Sequence, residues 1–378
     1  MSRVGCGLTA GLILAAGAVA AQNSDRDRTR CSSGNANLAI SGCTAVIQAG
    51  RETNDSLAVA FHYRGNAYLE RGDYDRAIAD LAQAIRLNAG LPQSFYDRGR
   101  AYLAKNDDRR AIQDFDQTIR LNPDIPEVYD SRGVAYRDEG DLDRAGQDYD
   151  QAIMLDSNYA PAFVHRGNLY SDKGDYDRGI RDYDEAIRLE RQDAEAWYRR
   201  GEAYFRKQEY DRAARDLDQA LKLEPDNANA VWRRTVTRFA LGQFAEAAQD
   251  AELTGRLSPA WLYGILWRYI ANAKSGTAKP DVLLPYSAKI DVSKWPGPVL
   301  ALYMGALTAG QVSDAAVKAG GAKSGPGYVC EAAFYIGELR LLRNDPKGAK
   351  ESLQGAVRTC PHTFDEYHGA VAELGRLP

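Results

Sequence analysis

The chain has few of the residues that most often build metal centres and nucleophilic active sites. Its 378 residues include only 4 histidines, 5 cysteines and 3 methionines. The histidines, His62, His165, His362 and His368, are scattered, and none falls in a serine or cysteine triad signature. No Cys-x2-Cys spacing supports a zinc site. The sequence therefore predicts no catalytic residue, no metal ligand and no cofactor.

An excess of charge of one sign is also missing. The 48 lysines and arginines are set against 52 acids, which gives a formal net charge of −4. Without a strong basic field, nucleic acid is not expected as a partner. After the first two dozen or so residues, no apolar run is long enough to cross a bilayer. The 44% of hydrophobic residues is ample for an extended core.

One long apolar run stands at the start of the chain, from Val4 to Val19, and it ends in small residues before a polar stretch. This pattern predicts a secretory signal peptide at 1–21, cleaved after Ala20 or Ala21. An uncleaved anchor is the alternative. Cys6 lacks the preceding residues of a lipidation site, so no lipid anchor is expected. The predicted destination is the periplasm, reached by secretion across the inner membrane.

A spacing of 34 residues runs through most of the chain. One glycine per period is followed three residues later by a tyrosine. The glycines are Gly65, Gly99, Gly133, Gly167 and Gly201. A small residue follows each glycine by twelve positions and a large apolar one by sixteen, the spacing that returns to one helix face. Each period therefore predicts a hairpin of two helices, and stacked hairpins present a long concave face.

The pattern resembles the tetratricopeptide repeat, whose motif W-x2-L-G-x2-Y, A-x3-F, P is matched over Ala58 to Trp261. The resemblance implies an all-α, right-handed solenoid of tetratricopeptide helical hairpins that binds other proteins or peptides. The predicted divisions after the signal peptide are an N-terminal partial hairpin at 22–57, six repeats at 58–261, an irregular helical section at 262–329, and a C-terminal repeat with a capping helix at 330–378.

Position seven of each repeat departs from the family, which commonly has leucine there. The column here is arginine, and a second column of aspartates lies sixteen residues further on. These are Arg64, Arg98, Arg132, Arg166, Arg200 and Arg234, with Asp80, Asp114, Asp148, Asp182, Asp216 and Asp250. A partly buried guanidinium needs a planar carboxylate partner, so the columns predict a ladder of structural ion pairs. Ligand binding by these arginines is the alternative.

Four cysteines remain once Cys6 leaves with the signal peptide, an even number in an oxidising compartment. Extending the repeat register backwards puts Cys31 in the glycine slot and Cys43 in the small-residue slot, two positions that touch within a hairpin. Cys330 and Cys360 stand at the outer ends of a later hairpin. We expect the two disulfides Cys31–Cys43 and Cys330–Cys360, with free thiols or metal binding as alternatives.

Positions five, nine and twelve of the first helices point towards the groove in this family. In this chain these positions give His62, Asn66, Tyr96, Arg100, Asp130, Arg137, Asn168, Tyr198, Glu202 and Phe205. Mixed aromatic, amide and charged groups suit peptide capture. The alternative is that several of them pack against the adjacent hairpin. Because Asp130 and Glu202 would repel a terminal carboxylate, an extended or basic ligand is expected.

The last third of the chain returns to the repeat pattern at Gly337, and a final helix is predicted from Phe364 to Arg376. Helices at Trp261–Asn272 and Val299–Leu307 are predicted in the irregular section. The last third contains, in this order, Trp295-Pro296, Leu302-Tyr303-Met304-Gly305, Cys330-Glu-x2-Phe-Tyr-x-Gly337 and Phe364-x-Glu366-Tyr367. This order resembles the carboxy-terminal half of NlpI-type envelope lipoproteins. The resemblance implies peptidoglycan hydrolases and a processing protease as partners, and allows a homodimer. The absent lipidation motif is a departure that leaves those partners open.

Two local patterns suggest chemistry without supporting it. His362, Asp365, Glu366 and His368 are close in sequence but straddle a predicted helix start and do not share a face. The glycine-rich run at 320–324 lacks the glycine directly before lysine and the preceding strand of a phosphate loop. We therefore expect an exported, non-enzymatic adaptor that recruits cell-envelope proteins through its repeat surface. The alternative is an enzyme or enzyme subunit with its site in the irregular section 256–323.

Overall fold

The computed structural model describes residues 25–258, 262–277, 283, 291, 294–320 and 327–378. The chain divides into unit 1, Met1–Leu169, and unit 2, Tyr170–Pro378. Every regular element within the described ranges is an α-helix, and consecutive helices pair as hairpins. The predicted fold class, a solenoid of helical hairpins, is confirmed.

The described part of unit 1 begins with a hairpin of α1 (25–31) and α2 (Ala36–Ala49) and continues through three regular hairpins. Their helices are α3 (Asn54–Glu70), α4 (Tyr74–Leu87), α5 (Pro92–Leu103), α6 (Asp108–Leu121), α7 (Pro126–Asp138) and α8 (Leu142–Leu155). Helix α9 (Ala160–Asp172) begins in unit 1 and ends in unit 2. Pro92 and Pro126 occupy the first turn of their helices, where a missing N–H breaks no hydrogen bond.

Unit 2 contains the remaining regular hairpins and the C-terminal helices. Its helices are α10 (Tyr176–Leu189), α11 (Ala194–Arg206), α12 (Tyr210–Leu223), α13 (Ala228–Ala240), α14 (Phe244–Leu257), α15 (Leu262–Lys274), α16 (Gly297–Tyr303), α17 (Ala309–Gly320), α18 (Gly327–Leu342), α19 (Pro346–Thr359) and α20 (Asp365–Arg376). The large core of this unit joins α11 to α15 with α16 to α20 around Trp267, Phe334 and Tyr335.

Several predicted boundaries differ from those of the structure. The first repeat helix begins at Asn54, capped by the Thr53 side chain, rather than at Ala58. The helix predicted over Val299–Leu307 is α16, and a further helix, α17, lies in the section predicted to be irregular. The predicted signal peptide, Trp261 and most of the run at 320–324 lie outside the described residues. No helix within those residues has the length and apolarity needed to cross a membrane.

Each regular hairpin turns at a residue in the left-handed conformation. Gly72, Gly140 and Gly174 have φ angles of 72°, 86° and 79°, a region that glycine enters without steric cost. The next residue caps the second helix, as where the Asp73 side chain accepts a hydrogen bond from the backbone N–H of Arg76. A glycine followed by an aspartate therefore forms the turn of these three hairpins.

The repeated tyrosine packs against an arginine at the start of the second helix. The guanidinium carbons lie 4.3 to 4.5 Å from the ring centroids in the pairs Arg76–Tyr68, Arg110–Tyr102, Arg144–Tyr136 and Arg178–Tyr170. Each of these arginines also pairs with the capping aspartate three residues before it. The turn of each hairpin is thus held by a cap, an ion pair and a cation–π contact.

The glycine slot lies where the two helices of a hairpin approach most closely. A Cβ atom on Gly133 would lie 2.6 Å from Cε1 of Tyr149 and 3.2 Å from the carbonyl oxygen of Ala145. A Cβ atom on Gly99 would lie 2.6 Å from Cε1 of Phe115. The large ring on the second helix therefore packs directly on the backbone of the first.

We expect Gly133→Ala to lower the free energy of unfolding by about 1–3 kcal/mol, because the added methyl group overlaps the buried Tyr149 ring. The matched control is Gly255→Ala in α14, where a Cβ atom would have no neighbour within 4 Å. That change should raise the free energy of unfolding by about 0.5–1 kcal/mol. Urea unfolding midpoints of the two full-length variants measure both effects. Equal effects of the same sign would contradict the close-packing argument.

Both predicted cysteine pairs lie at disulfide distance. The Sγ atoms of Cys31 and Cys43 are 2.01 Å apart, and those of Cys330 and Cys360 are 2.17 Å apart. The first bridge ties α1 to α2, and the second ties the start of α18 to the residue that follows α19. Each bridge therefore closes one hairpin near an end of the described chain.

Candidate functional site

A row of arginines, here called the arginine seam, links the two helices of the regular hairpins. Five of the predicted pairs are bidentate, with N–O distances of 2.7 to 2.9 Å. They are Arg64–Asp80, Arg98–Asp114, Arg132–Asp148, Arg200–Asp216 and Arg234–Asp250. These aspartates are buried, so the fork geometry supplies both carboxylate oxygens with donors.

The arginine seam also binds a second carboxylate that the sequence analysis missed. Four arginines reach an aspartate sixteen residues before them, on the second helix of the preceding hairpin, at 2.6 to 2.8 Å. The pairs are Arg132–Asp116, Arg166–Asp150, Arg200–Asp184 and Arg234–Asp218. These aspartates repeat every 34 residues, so the signal was present in the sequence. The arginines therefore join hairpins to one another as well as the helices within them.

A different set of polar side chains lies on the first helices α3, α5, α7 and α9. We call it the first-helix face of unit 1 and define it by His62, Asn66, Tyr96, Asp97, Arg100, Asp130 and His165. The buried carboxylate of Asp97 is its first centre. Asn66 Nδ2 donates to Oδ2 over 3.2 Å, and Arg100 donates to Oδ1 over 3.2 Å. His62 Nδ1 lies 3.3 Å from Oγ of Ser94.

Asp130 is the second centre of this face. Its Oδ1 atom lies 2.7 Å from Nδ1 of His165, and the Tyr159 hydroxyl donates to Oδ2 over 3.4 Å. The Tyr96 hydroxyl lies 3.4 Å from Oγ of Ser131, on the same helix as Asp130. Neighbouring first helices are therefore connected by side-chain hydrogen bonds along the face.

The charge on this face follows from burial. Burial lowers the pKa of His62, and the charge of Asp97 offsets this only in part, so the imidazole is neutral at pH 7. Burial raises the pKa of Tyr96, and burial together with Asp130 raises that of Tyr159. Arg100, nearly half exposed, lies 5.6 Å from the Tyr96 ring. The first-helix face of unit 1 therefore presents an exposed cation, an aromatic ring and two buried carboxylates.

The rule based on positions five, nine and twelve named one residue of each contact between neighbouring first helices and missed the other. Position six of one first helix bonds to position five or nine of the preceding one. The partners are Asp97 with Asn66, Ser131 with Tyr96, His165 with Asp130, and Arg233 with Glu202. Position six is polar or aromatic in every repeat, and this column was the available signal.

The other predicted groove residues divide between the two units. Arg137 pairs with the exposed Asp138 at 3.2 Å, and Asn168 is half-buried on α9. In unit 2, Tyr198 is half-buried beneath the Arg199 guanidinium. Glu202, predicted to face a ligand, is held between Arg206 and Arg233 instead.

Phe205 was predicted to line the groove, and this is wrong. Its side chain is fully buried, with its ring centroid 4.2 Å from that of His368 on α20. Asp130 also differs from expectation, because it is only 4% exposed and already hydrogen-bonded. The side chains of Phe205 and Asp130 therefore both contact residues of their own unit.

Helix α20 covers the first-helix face of unit 2. The carboxylate of Asp365 accepts hydrogen bonds from Arg233 over 2.5 Å and from Trp232 Nε1 over 2.7 Å. Nδ1 of His368 lies 3.2 Å from the Tyr210 hydroxyl. Arg206 donates to the carbonyl oxygen of Thr363 over 2.6 Å. In unit 2 the chain itself therefore covers the side of α11 and α13 that corresponds to the first-helix face of unit 1.

Acidic side chains are buried beneath α20. Burial, then the charges of Glu331 and Asp365, raises the pKa of Glu366 to about 8. Its Oε1 atom accepts a hydrogen bond from the Tyr335 hydroxyl over 3.0 Å. Glu331 accepts from Trp295 Nε1 over 2.7 Å, and burial raises its pKa. The described residues include no group of three or more ligands placed to hold a metal ion.

Comparisons with known proteins identify the repeats. A family model described as TPR repeat matches residues 65–106 and 167–208, and models described as tetratricopeptide repeat match 96–160 and 194–227. The chain therefore carries tetratricopeptide repeats, and its fold is that of a protein-interaction scaffold. Tetratricopeptide proteins bind other proteins or peptides. No curated protein sequence matches the chain significantly.

Solved structures show the same fold at low sequence identity. A tetratricopeptide repeat protein from Parabacteroides merdae aligns with a TM-score of 0.52 at 17% identity, over 66% of this chain and 97% of its own. PilF of Pseudomonas aeruginosa aligns with a TM-score of 0.51 at 16% identity, over 56% and 96%. The APC/C Cut9–Hcn1 complex gives 0.52 at 16%, over 62% and 49%.

Proposed function

We propose that this protein is an exported, non-enzymatic adaptor that recruits cell-envelope proteins by binding an extended segment of them along the first-helix face of unit 1. The single observation that carries the proposal is the chemistry of that face. Tyr96 and Arg100 stand partly exposed above carboxylates that are already positioned by hydrogen bonds. Aromatic and arginine side chains over an ordered polar base are what peptide capture requires.

The charge of the face favours a ligand with a basic side chain. Asp97 and Asp130 are buried at its base, where Arg100 pairs with Asp97 and the neutral His62 adds no further positive charge. A lysine or arginine of the ligand gains from both carboxylates, whereas a terminal carboxylate is repelled by them. Arg100 on the rim then pairs with an acidic residue beside the basic one.

Export is supported by the sequence of residues 1–21 and by the two cysteine pairs at disulfide distance. Disulfides persist in oxidising compartments such as the periplasm. We propose peptidoglycan hydrolases or a processing protease as the proteins recruited, without a lipid anchor, because the sequence of the C-terminal third resembles that of NlpI-type proteins. A homodimer is compatible with this role.

The test is a crosslinking pull-down from periplasmic extract with the full-length chain and its Tyr96→Ala/Arg100→Ala variant. We expect recovery of the specific partners to fall about tenfold or more in the variant, because such side chains contribute most of the energy at binding surfaces. The matched control is Arg120→Ala, an exposed arginine on α6 outside the face. It should leave recovery unchanged.

Two results would contradict the proposal. If the double variant recovers the same partners at the same level, the first-helix face of unit 1 does not bind them. If the chain itself is recovered in the cytosolic fraction with its cysteines reduced, the protein is not exported.

A further inference from the structure

The surface beneath α20 has the properties of a binding site for a helix. It is formed by Phe205 of α11, by Trp232, Arg233 and Phe239 of α13, and by Trp267 and Phe334 beside them. Charge is matched there, because the buried Arg233 guanidinium lies between the carboxylates of Glu202 and Asp365. Shape is matched as well, because Phe205 receives the flat ring of His368.

The close approach of α20 restricts which helix fits this surface. A Cβ atom on Gly369 would lie 2.7 Å from Cε2 of Phe334 and 3.2 Å from Trp267. Asp365, His368 and Gly369 therefore form one recognition pattern, Asp-x2-His-Gly, over a single helical turn. At the other end of the helix, Arg376 donates to the carbonyl oxygens of Phe239 over 2.9 Å and of Ala240.

Helix α20 buries ionisable groups at a cost. The pKa of Glu366 is raised and that of His368 is lowered to about 4, because burial disfavours the charged form of each. Its other buried residues are Gly369, Ala370 and Glu373, and its larger apolar side chains, Tyr367 and Leu374, are only partly buried. A helix held in this way opens more readily than one held by apolar packing.

The chain before α20 is fixed independently of it. The disulfide between Cys330 and Cys360 ties the end of α19 to α18. The connection that follows, Pro361 to Thr363, is exposed. Helix α20 is therefore able to leave its surface without loss of the preceding hairpin.

We propose that the surface of α11 and α13 is a second binding site, which accepts a partner helix with the pattern Asp-x2-His-Gly and which α20 occupies until that partner displaces it. The inference rests on the protein-binding role proposed above but uses a different unit of the chain. The two tests are separate, because this one needs only the purified protein and a peptide.

The probe is a fluorescent peptide with the sequence of residues 361–378, added to the full-length chain and to its Asp365→Asn variant. The variant weakens the internal helix, so a larger fraction of the surface is free. The apparent affinity for the wild-type peptide should rise about tenfold or more by anisotropy. Hydrogen exchange in the unmodified protein should show α20 opening at least tenfold faster than α18.

Two controls define the result. Asp314→Asn, on the exposed side of α17, should leave peptide affinity unchanged. A peptide with Gly369→Leu should not bind, because its side chain meets the Phe334 ring. Equal hydrogen exchange in α20 and α18 would overturn the proposal even if Asp365→Asn does not fold. A concentration-dependent dimer that excludes the peptide would assign the surface to a second copy of the chain, and would also overturn it.

Discussion

Replacing Arg132 with methionine is expected to lower the free energy of unfolding by about 3–5 kcal/mol, the loss typical of breaking a buried ion pair. Arg132 donates to Asp148 over 2.8 and 2.7 Å and to Asp116 over 2.6 Å. Without it, the buried Asp148 carboxylate has lost both donors. Burial already raises the pKa of Asp148 despite the arginine, so the unpaired carboxylate is costly.

The measurement is a double-mutant cycle by urea unfolding. The variant Arg132→Met/Asp148→Leu should recover most of the loss, because two apolar side chains replace the pair without leaving a charge. The matched control is Arg144→Met in the same hairpin, an exposed arginine whose partner Asp141 is only partly buried. Its effect should be much smaller. If the effects of Arg132→Met and Asp148→Leu simply add, the arginine seam does not stabilise the hairpins.

Replacing Lys274 with methionine is expected to cost about 3–5 kcal/mol at alkaline pH and less at pH 5. Its Nζ atom lies 2.9 Å from Oε2 of Glu373 and 3.1 Å from Oε2 of Glu338. The contact with the fully buried Glu338 is an ion pair by distance, although neither of its carboxylate oxygens has a well-aligned hydrogen bond. One lysine therefore serves two buried carboxylates.

The pH dependence follows from Glu338. Burial, then the charge of Glu373, raises its pKa from 4.5 to about 8. Its contribution to stability is thus fully present below pH 4.5 and is lost as the pH rises through about 8. Removing Lys274 raises this pKa further, so the cost of the variant grows with pH. Urea unfolding at pH 5 and pH 9 checks this, with the exposed Lys318→Met as control. An equal loss at both pH values would exclude the buried ion pair as its cause.

The local architecture was open to prediction because it repeats. Gly133 and Tyr149 touch within one hairpin, and so do Arg132 and Asp148. Each contact recurs at the same offset in several units, so the sequence alone indicates which positions meet. Cys31 and Cys43 were placed by the same register.

Contacts between distant parts of the chain were not open to prediction. Phe205 has a groove position by its register, but it is buried by a residue more than 150 positions later. The contact between Tyr210 and His368 spans 158 residues, far more than the 34-residue period. No periodicity reports such packing. The Asp116 column is a different failure, because its spacing was visible but its partner lies in the next hairpin.

The arginine seam also restricts which changes in the length of the repeat array keep its ion pairs intact. Each of Arg132, Arg200 and Arg234 finds carboxylates 16 residues to either side. Excising residues 126–159, one whole period, would bring Arg166 to the same distance from Asp116 that it now has from Asp150. Duplications and deletions of whole 34-residue repeats therefore preserve the carboxylate partners of each arginine. Any other change in length leaves an arginine at the junction without one of its carboxylate partners.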